Sequence, residues 1–346
     1  MTQDIHLLIP DLFLPEEVAA EACAGLTLPA LEWLLARAEA HPLLENTLEA
    51  WLCDAFGVAG QAIAPITLLA DGMQPGHGYW LRADPVHVQM QREQMVLQPN
   101  VLLTADEATQ LCASLNHHFA SEGLRFFAPH PQRWYLQLDN IPDMTTRPLA
   151  QVAGRNLRTH LPQGPDALRW HRVFNEIQML FFEHAVNLAR EARGEQPINS
   201  IWLWGGGNAT QKLAKKFTRV AGDSPLAAAF AQAADISYAT WPDNLSRFSK
   251  DNEGDTLIVQ EGLRRALQQH DLTAWRNAVL SLERTCAAPL RDALRAGHIA
   301  RLTLDVSGAG GARRFTLTRS ASWKWWRLPK SLARYTPGAL NNQPHR

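Results

Sequence analysis

Three stretches of the chain carry residue types that could do chemistry. Arg82-Ala83-Asp84-Pro85-Val86-His87 sets a cation, a carboxylate and an imidazole within six residues. Such a set can hold a phosphate or a carboxylate, although charges flanking a strand end also pair with each other or face water. Gly205-Gly206-Gly207 follows an apolar run and precedes a helix-like stretch, the context in which backbone amides at a helix start hold an anion. The pattern is neither GxGxxG nor GxxxxGK[ST], and a tight strand-to-helix turn with closely packed backbones accounts for it as simply. Trp323-Lys324-Trp325-Trp326-Arg327 interleaves indoles and cations, as segments that stack on bases or sit at anionic surfaces do. A closing strand whose tryptophans cover the core is the plainer alternative.

Other chemistries lack their signatures. There is no HExxH and no GxSxG, and His117-His118 makes no metal-ligand spacing with a nearby Asp or Glu. His130, between Pro129 and Pro131, suits a rigid turn. The four cysteines (Cys23, Cys53, Cys112, Cys286) are scattered without CxxC or Cys/His zinc spacing, which predicts reduced thiols.

Composition bounds the setting of these residues. The chain has 346 residues, 46% hydrophobic and 19% charged, enough to bury a large core and too apolar for global disorder. A formal charge of −1 excludes a protein that is basic overall, but the charge is uneven: residues 306–346 hold eight Lys or Arg and no Asp or Glu. No run approaches a membrane span, and the first residues lack the positive region of a secretory signal, so a cytoplasmic location is expected.

The elements that position the candidates follow from periodicity. A strand is expected at Ile5–Ile9, helices at Pro15–Ala22, Leu28–Ala38 and Leu44–Phe56, and a buried strand at Ile63–Leu69 closed by Asp71-Gly72. From about Gly76 short strand-like pieces follow, at Tyr79-Trp80-Leu81, Val86-His87-Val88 and Gln94–Leu97. Then comes a helix with Thr104 and Glu107 as a capping box and Ala108, Leu111, Leu115 and Phe119 as its stripe. Leu124–Ala128 and Trp134–Leu138 read as paired strands, residues 139–166 as a surface wrap, and Ala167–Ala192 as one long helix. Strand–helix alternation returns with Ile198–Trp204, a helix at Ala209–Phe217, another at Pro225–Ala234 and a strand at Thr256–Val259. A helix over 272–296 capped by Asp271 and strands at Leu302–Val306 and Phe315–Thr318 complete it. The pattern is an α/β core interrupted by an α+β unit.

The stretch Phe182–Gly207 resembles a run in the cofactor-independent phosphoglycerate mutases of archaeal type. His184, Val186, Asn187, Arg190, Gly194, Asn199, Gly205 and Gly207 fit it, with Ile198 in place of the family's Ala. Nearly the full length resembles a proteobacterial group of such homologues, the RpfE-type regulatory proteins. That match rests on Arg82–His87, on Ala128-Pro129-His130-Pro131-Gln132-Arg133-Trp134-Tyr135-Leu136 and on Asn175-Glu176-Ile177-Gln178-Met179-Leu180. The resemblance implies an alkaline-phosphatase-like α/β/α core formed by residues 1–76 and 195–330. It also implies an inserted α+β domain at 77–194 with its exit helix, and a C-terminal tail at 331–346.

The resemblance also implies two divalent metals, a serine that carries the phosphoryl group, and Asp and His ligands. Few of those positions are kept. Asp11 stands where the family has Asp-Gly, Thr47 is the hydroxyl nearest the serine segment, and His270 alone remains of a stretch after a strand. Asp305 has no adjacent His. A dinuclear site so depleted should bind metal poorly.

The leading expectation is therefore a non-catalytic phosphoglycerate-mutase-like protein with a regulatory or metabolite-sensing role and no cofactor. Its ligand-binding candidates are Arg82, Asp84, His87, Asn187, Arg190, Gly205 and Gly207, lining a cleft for a small phosphorylated metabolite. One alternative is an active mutase or phosphatase using Mn or Zn with Asp11, Thr47, His270 and Asp305. The other is a protein or nucleic-acid partner bound through residues 313–334.

Overall fold

The structure, a computed structural model, describes residues 3–44, 47–91, 93–99, 101–208, 212–241 and 254–336. The chain forms two compact units, residues 1–56 with 213–346, and residues 57–212. The expected boundaries near 76 and 195 fall inside the second unit. The reason is packing: the helix Ile63–Ala70 and the strand that carries the three glycines both pack within that unit. Of the expected tail, Leu332 and Tyr335 are buried among the first unit's core residues, and 337–346 lie outside the described residues.

In the first unit, β1 (Gln3–Ile9) lies between β10 (Thr256–Val259) and β11 (Ile299–Val306), parallel to both. Beyond β10 come β8 (Arg219–Gly222) and β9 (Ser237–Thr240), also parallel. Beyond β11 come β12 (Arg313–Thr318) and β2 (Glu39–Pro42), antiparallel. The sequence Thr256-Leu-Ile-Val is buried at every position, as a parallel strand covered on both faces must be. Ile5, Leu7, Ile9, Trp275, Leu302 and Leu304 anchor this core. The expected helix over 272–296 is present but changes pitch: a π turn at Glu283–Ala287 separates Leu272–Leu282 from Ala288–Ala296. Asp271 caps it as expected, its Oδ1 accepting from Ala274 N at 2.8 Å.

In the second unit the short pieces around residue 80 are one strand, β3 (Tyr79–Gln91). It pairs with β4 (Gln94–Gln98), with β6 (Arg133–Leu138), which in turn pairs with β5 (Arg125–His130), and with β7 (Ser200–Asn208). Pro85 is tolerated inside so long a strand because β6 pairs only as far as Arg82 and β4 begins at His87. The helices Ala105–His118 and Ala167–Phe182 close a core containing Leu111, Leu115, Trp134, Trp170 and Ile177. The capping box of Thr104 and Glu107 is formed in both directions.

Three further expectations are corrected. Ile63–Leu69 is helical (Ile63–Ala70), because a fully buried apolar run carries no period to separate strand from helix, and Pro65 sits in the first turn, where no N–H is needed. The single helix over 167–192 is two, Ala167–Phe182 and Ala185–Ala192, broken where His184 Nδ1 accepts from Val186 N at 3.2 Å. The glycines at 205–207 lie within β7 instead of forming a turn, and residues 212–217 are not helical; 209–211 lie outside the described residues. No helix of the described residues is long and apolar enough to cross a membrane.

Candidate functional site

Open α/β sheets offer their ligand crevice at the carboxyl ends of the parallel strands. In the first unit that edge is formed by the residues after β1, β8 and β10: Asp11, Asp223-Ser224 and Gln260-Glu261. Asp11 holds a positive φ of 62°, which turns the chain off the end of the strand. Behind Glu261 the helix Gly262–Gln268 begins, and its buried Arg264 points into the group. The two terminal guanidinium nitrogens of Arg264 meet Glu49 at 3.0 Å, one to each carboxylate oxygen, and Glu261 and Asp11 lie at 3.6 Å. Asp223 accepts the Glu261 backbone N–H at 2.5 Å and pairs with Arg265 at 2.7 Å.

The electrostatics of this group are those of one cation among three acids. Burial holds the Glu261 carboxyl above the usual range against the attraction of Arg264, and its Oε2 is buried without a hydrogen-bond partner. Burial works against the Arg264 charge, but Glu49 and Glu261 outweigh it and hold the guanidinium firmly protonated. Sequence reading missed Arg264, Glu49, Glu261 and Asp223. The available signals were a lone Glu inside the apolar helix Leu48–Phe56 and an acid and a cation three apart straight after a buried strand.

Asp305 lies within β11, opposite Leu8 of β1. It is fully buried, and its oxygens accept from Arg314 at 2.7 and 2.6 Å, from Trp51 Nε1 at 2.6 Å and from His6 Nε2 at 2.8 Å. Burial alone would raise its pKa, but Arg314 and His6 prevail and hold it well below the usual carboxylate range. Thr47 caps the helix Leu48–Phe56, its hydroxyl accepting from Ala50 N at 3.3 Å. His270 is exposed, with a φ of 54°, where the chain leaves the helix Gly262–Gln268. The four candidates drawn from the resemblance thus take separate places: one beside Arg264, one against Arg314, one as a cap and one on the surface.

The ligand candidates of the second unit are held in internal pairs. Arg82 donates to Asp84 at 3.0 and 2.6 Å, between the rings of Tyr135 and Trp204, and Trp204 Nε1 donates to Asp84 at 2.7 Å. Burial raises the Asp84 pKa despite Arg82. His87 Nδ1 donates to Pro197 O at 2.8 Å. Asn187 donates to Phe181 O and Ile198 O, both at 2.7 Å, and accepts from Ile198 N at 2.8 Å, tying helix to strand. Arg190 donates to Gln196 O at 2.8 Å and pairs with Glu107 at 2.9 Å. At Gly206 and Gly207 an added Cβ would stand 2.2 Å from Tyr79 Oη and 2.1 Å from Ala62 Cβ, so these glycines serve close packing.

The metals implied by the resemblance can be tested against these donors. Among the described residues no three or more His, Cys, Asp or Glu side chains are grouped to hold a metal ion. The carboxylates nearest to such a group, Glu49, Glu261 and Asp11, surround a guanidinium, and Asp305 is spent on Arg314. Among the described residues the donor set does not fit a dinuclear hard-metal centre.

The architecture is an α/β fold of the alkaline-phosphatase-like kind. The PH0037 protein from Pyrococcus horikoshii superposes over 97% of this chain and 93% of its own, with a TM-score of 0.50 at 11% identity. A cofactor-independent phosphoglycerate mutase from Thermoplasma acidophilum aligns over 97% of the chain with a TM-score of 0.47 at 14% identity. Among sequences, the homologues are 2,3-bisphosphoglycerate-independent phosphoglycerate mutases. The one from Methanosarcina mazei is 29% identical over 109 residues, 31% of this chain and 28% of that protein. The second such enzyme of Methanothermobacter thermautotrophicus is 32% identical over 104 residues, 29% of this chain and 26% of its own. These matches span little more than a quarter of the length of either relative. No family model matches the chain.

Proposed function

We propose that the chain is a non-catalytic phosphoglycerate-mutase-like protein, of the RpfE-type regulatory kind, that senses a small metabolite in the cytoplasm. The observation that supports this most is Arg264. Its guanidinium sits at the carboxyl end of the parallel strands, within 3.6 Å of Asp11, Glu49 and Glu261. A fixed cation there neutralises Asp11, Glu49 and Glu261, which disfavours a divalent metal ion among the same carboxylates. The test is an enolase-coupled assay with 3-phosphoglycerate and added manganese. No turnover is expected; turnover together with stoichiometric binding of two manganese or zinc ions would overturn the reading.

A second reading, a contact with a protein or nucleic-acid partner through residues 313–334, has its own support. Trp323, Trp325 and Trp326 are 75%, 76% and 62% exposed, so these indoles do not cover the core as the plainer expectation had it. Arg327 donates to Ala38 O at 2.7 Å and Lys324 reaches Glu39 at 3.4 Å, so the cations anchor the segment while the rings face outward.

A further inference from the structure

The surface wrap of the second unit contains a concave site that the sequence did not single out. A cavity of about 210 Å³ is lined by Thr145, Thr146, Arg147, Gln151, His160 and Gln163, with no carboxylate in its wall. At the ~30 Å³ that a water takes in the liquid, it has room for about seven waters, or a small metabolite. Its frame is fixed by backbone bonds between Thr145 and Gln163 in both directions, at 2.7 and 3.2 Å. The Arg147 carbonyl is held by Trp202 Nε1 at 2.9 Å, while its guanidinium makes no ion pair among the described residues.

His160 supplies the second observation. Its ring is part of the wall, and its Nδ1 is buried with no hydrogen-bond partner among the described residues. Burial depresses the His160 pKa, and the neighbouring Arg147 and Arg155 depress it further, so the field around the ring is positive. One arginine and an imidazole, with threonine hydroxyls and glutamine amides beside them, are donors for an oxyanion that also carries hydroxyl groups.

From this we infer that the cavity bounded by Arg147 and His160 binds a small hydroxylated oxyanion, its charged end against Arg147. The inference rests on the sensing reading for its purpose and names the site at which the metabolite is held. The ligand chemistry is shared by phosphate esters and carboxylates, and the probes separate them.

Calorimetric titration of the full chain with inorganic phosphate, 3-phosphoglycerate and glycerate tests it, alongside Arg147→Gln and His160→Gln. The expected result is binding of at least one probe, weakened about tenfold or more in each variant, as loss of a charge-assisted hydrogen bond implies. Binding of 3-phosphoglycerate and phosphate but not glycerate identifies a phosphate site; the reverse identifies a carboxylate site. Because the Arg147 side chain is exposed, its replacement leaves the fold intact, and circular dichroism checks this. Unchanged affinity in both variants, or no binding of any probe to the native chain, overturns the site. Neither result touches the non-catalytic reading, which the enolase-coupled assay decides separately.

Discussion

Arg264 and Glu49, 215 residues apart in the chain, meet through one hydrogen bond and a second ion-pair contact, both of 3.0 Å, in the interior of the first unit. The pair joins the helix after β10 to the helix Leu48–Phe56, and both side chains are over nine-tenths buried. A buried ion pair is weak support for stability taken whole, yet removing one partner strands the other charge.

That asymmetry gives a double-mutant cycle. Arg264→Met should destabilise the chain by about 3–5 kcal/mol by leaving Glu49 and Glu261 uncompensated. Arg264→Met combined with Glu49→Gln should cost clearly less than the sum of the single changes. Urea unfolding of the four proteins measures the coupling, and strict additivity would refute it.

The two buried acids predict pH dependences of opposite sign. Asp305 has a folded pKa depressed below its ordinary 3.8, so its stabilisation is present above that value and is lost as pH falls through the folded pKa. Glu261 has a folded pKa raised above 4.5, so its favourable contribution is present below that value and is lost as pH rises through the folded pKa. Asp305→Asn should therefore cost most near neutrality, about 3 kcal/mol or more, with the deficit shrinking in acid. Glu261→Gln should compare best with the native chain at neutral pH and worst in acid. Denaturant midpoints measured across acid and neutral pH report both.

Gly207→Ala separates close packing from anion binding. The new Cβ would stand 2.1 Å from Ala62 Cβ, and relieving that clash should cost about 1–3 kcal/mol. A variant of native stability would contradict the packing assigned to β7.

Trp325→Ala and Trp326→Ala remove exposed rings and should change stability by no more than about 0.5 kcal/mol. If the segment contacts nucleic acid, the same changes weaken binding to a single-stranded oligonucleotide, and that binding falls steeply with salt. Equal binding by native and variant chains removes this surface from consideration.

The alternation of strands and helices was legible in the sequence wherever a local rule operates. Asp271 as a cap, Thr104 with Glu107 as a capping box, and the buried run Thr256–Val259 were read from spacing alone and stand so in the structure. Local rules failed where burial is uniform or a contact is distant. The apolar run after Ala62 has no period to distinguish helix from strand, and the glycines at 205–207 look the same whether they turn the chain or admit Tyr79 and Ala62 beside a strand.

The candidate site was less legible, because pairing between charges distant in the chain has no sequence signature. The pairing of Arg82 with Asp84 was open to the sequence, but nothing near either announces the two aromatic rings beside them, and nothing near Asp305 announces Trp51, 254 residues away. The sequence by itself determined the α/β class and the interruption of its strand–helix alternation by a second unit. Only the tertiary structure decided what each remaining charge does, because a carboxylate's role depends on which cation folding brings within about 4 Å of it. For Glu49, Glu261 and Asp11 that cation is Arg264.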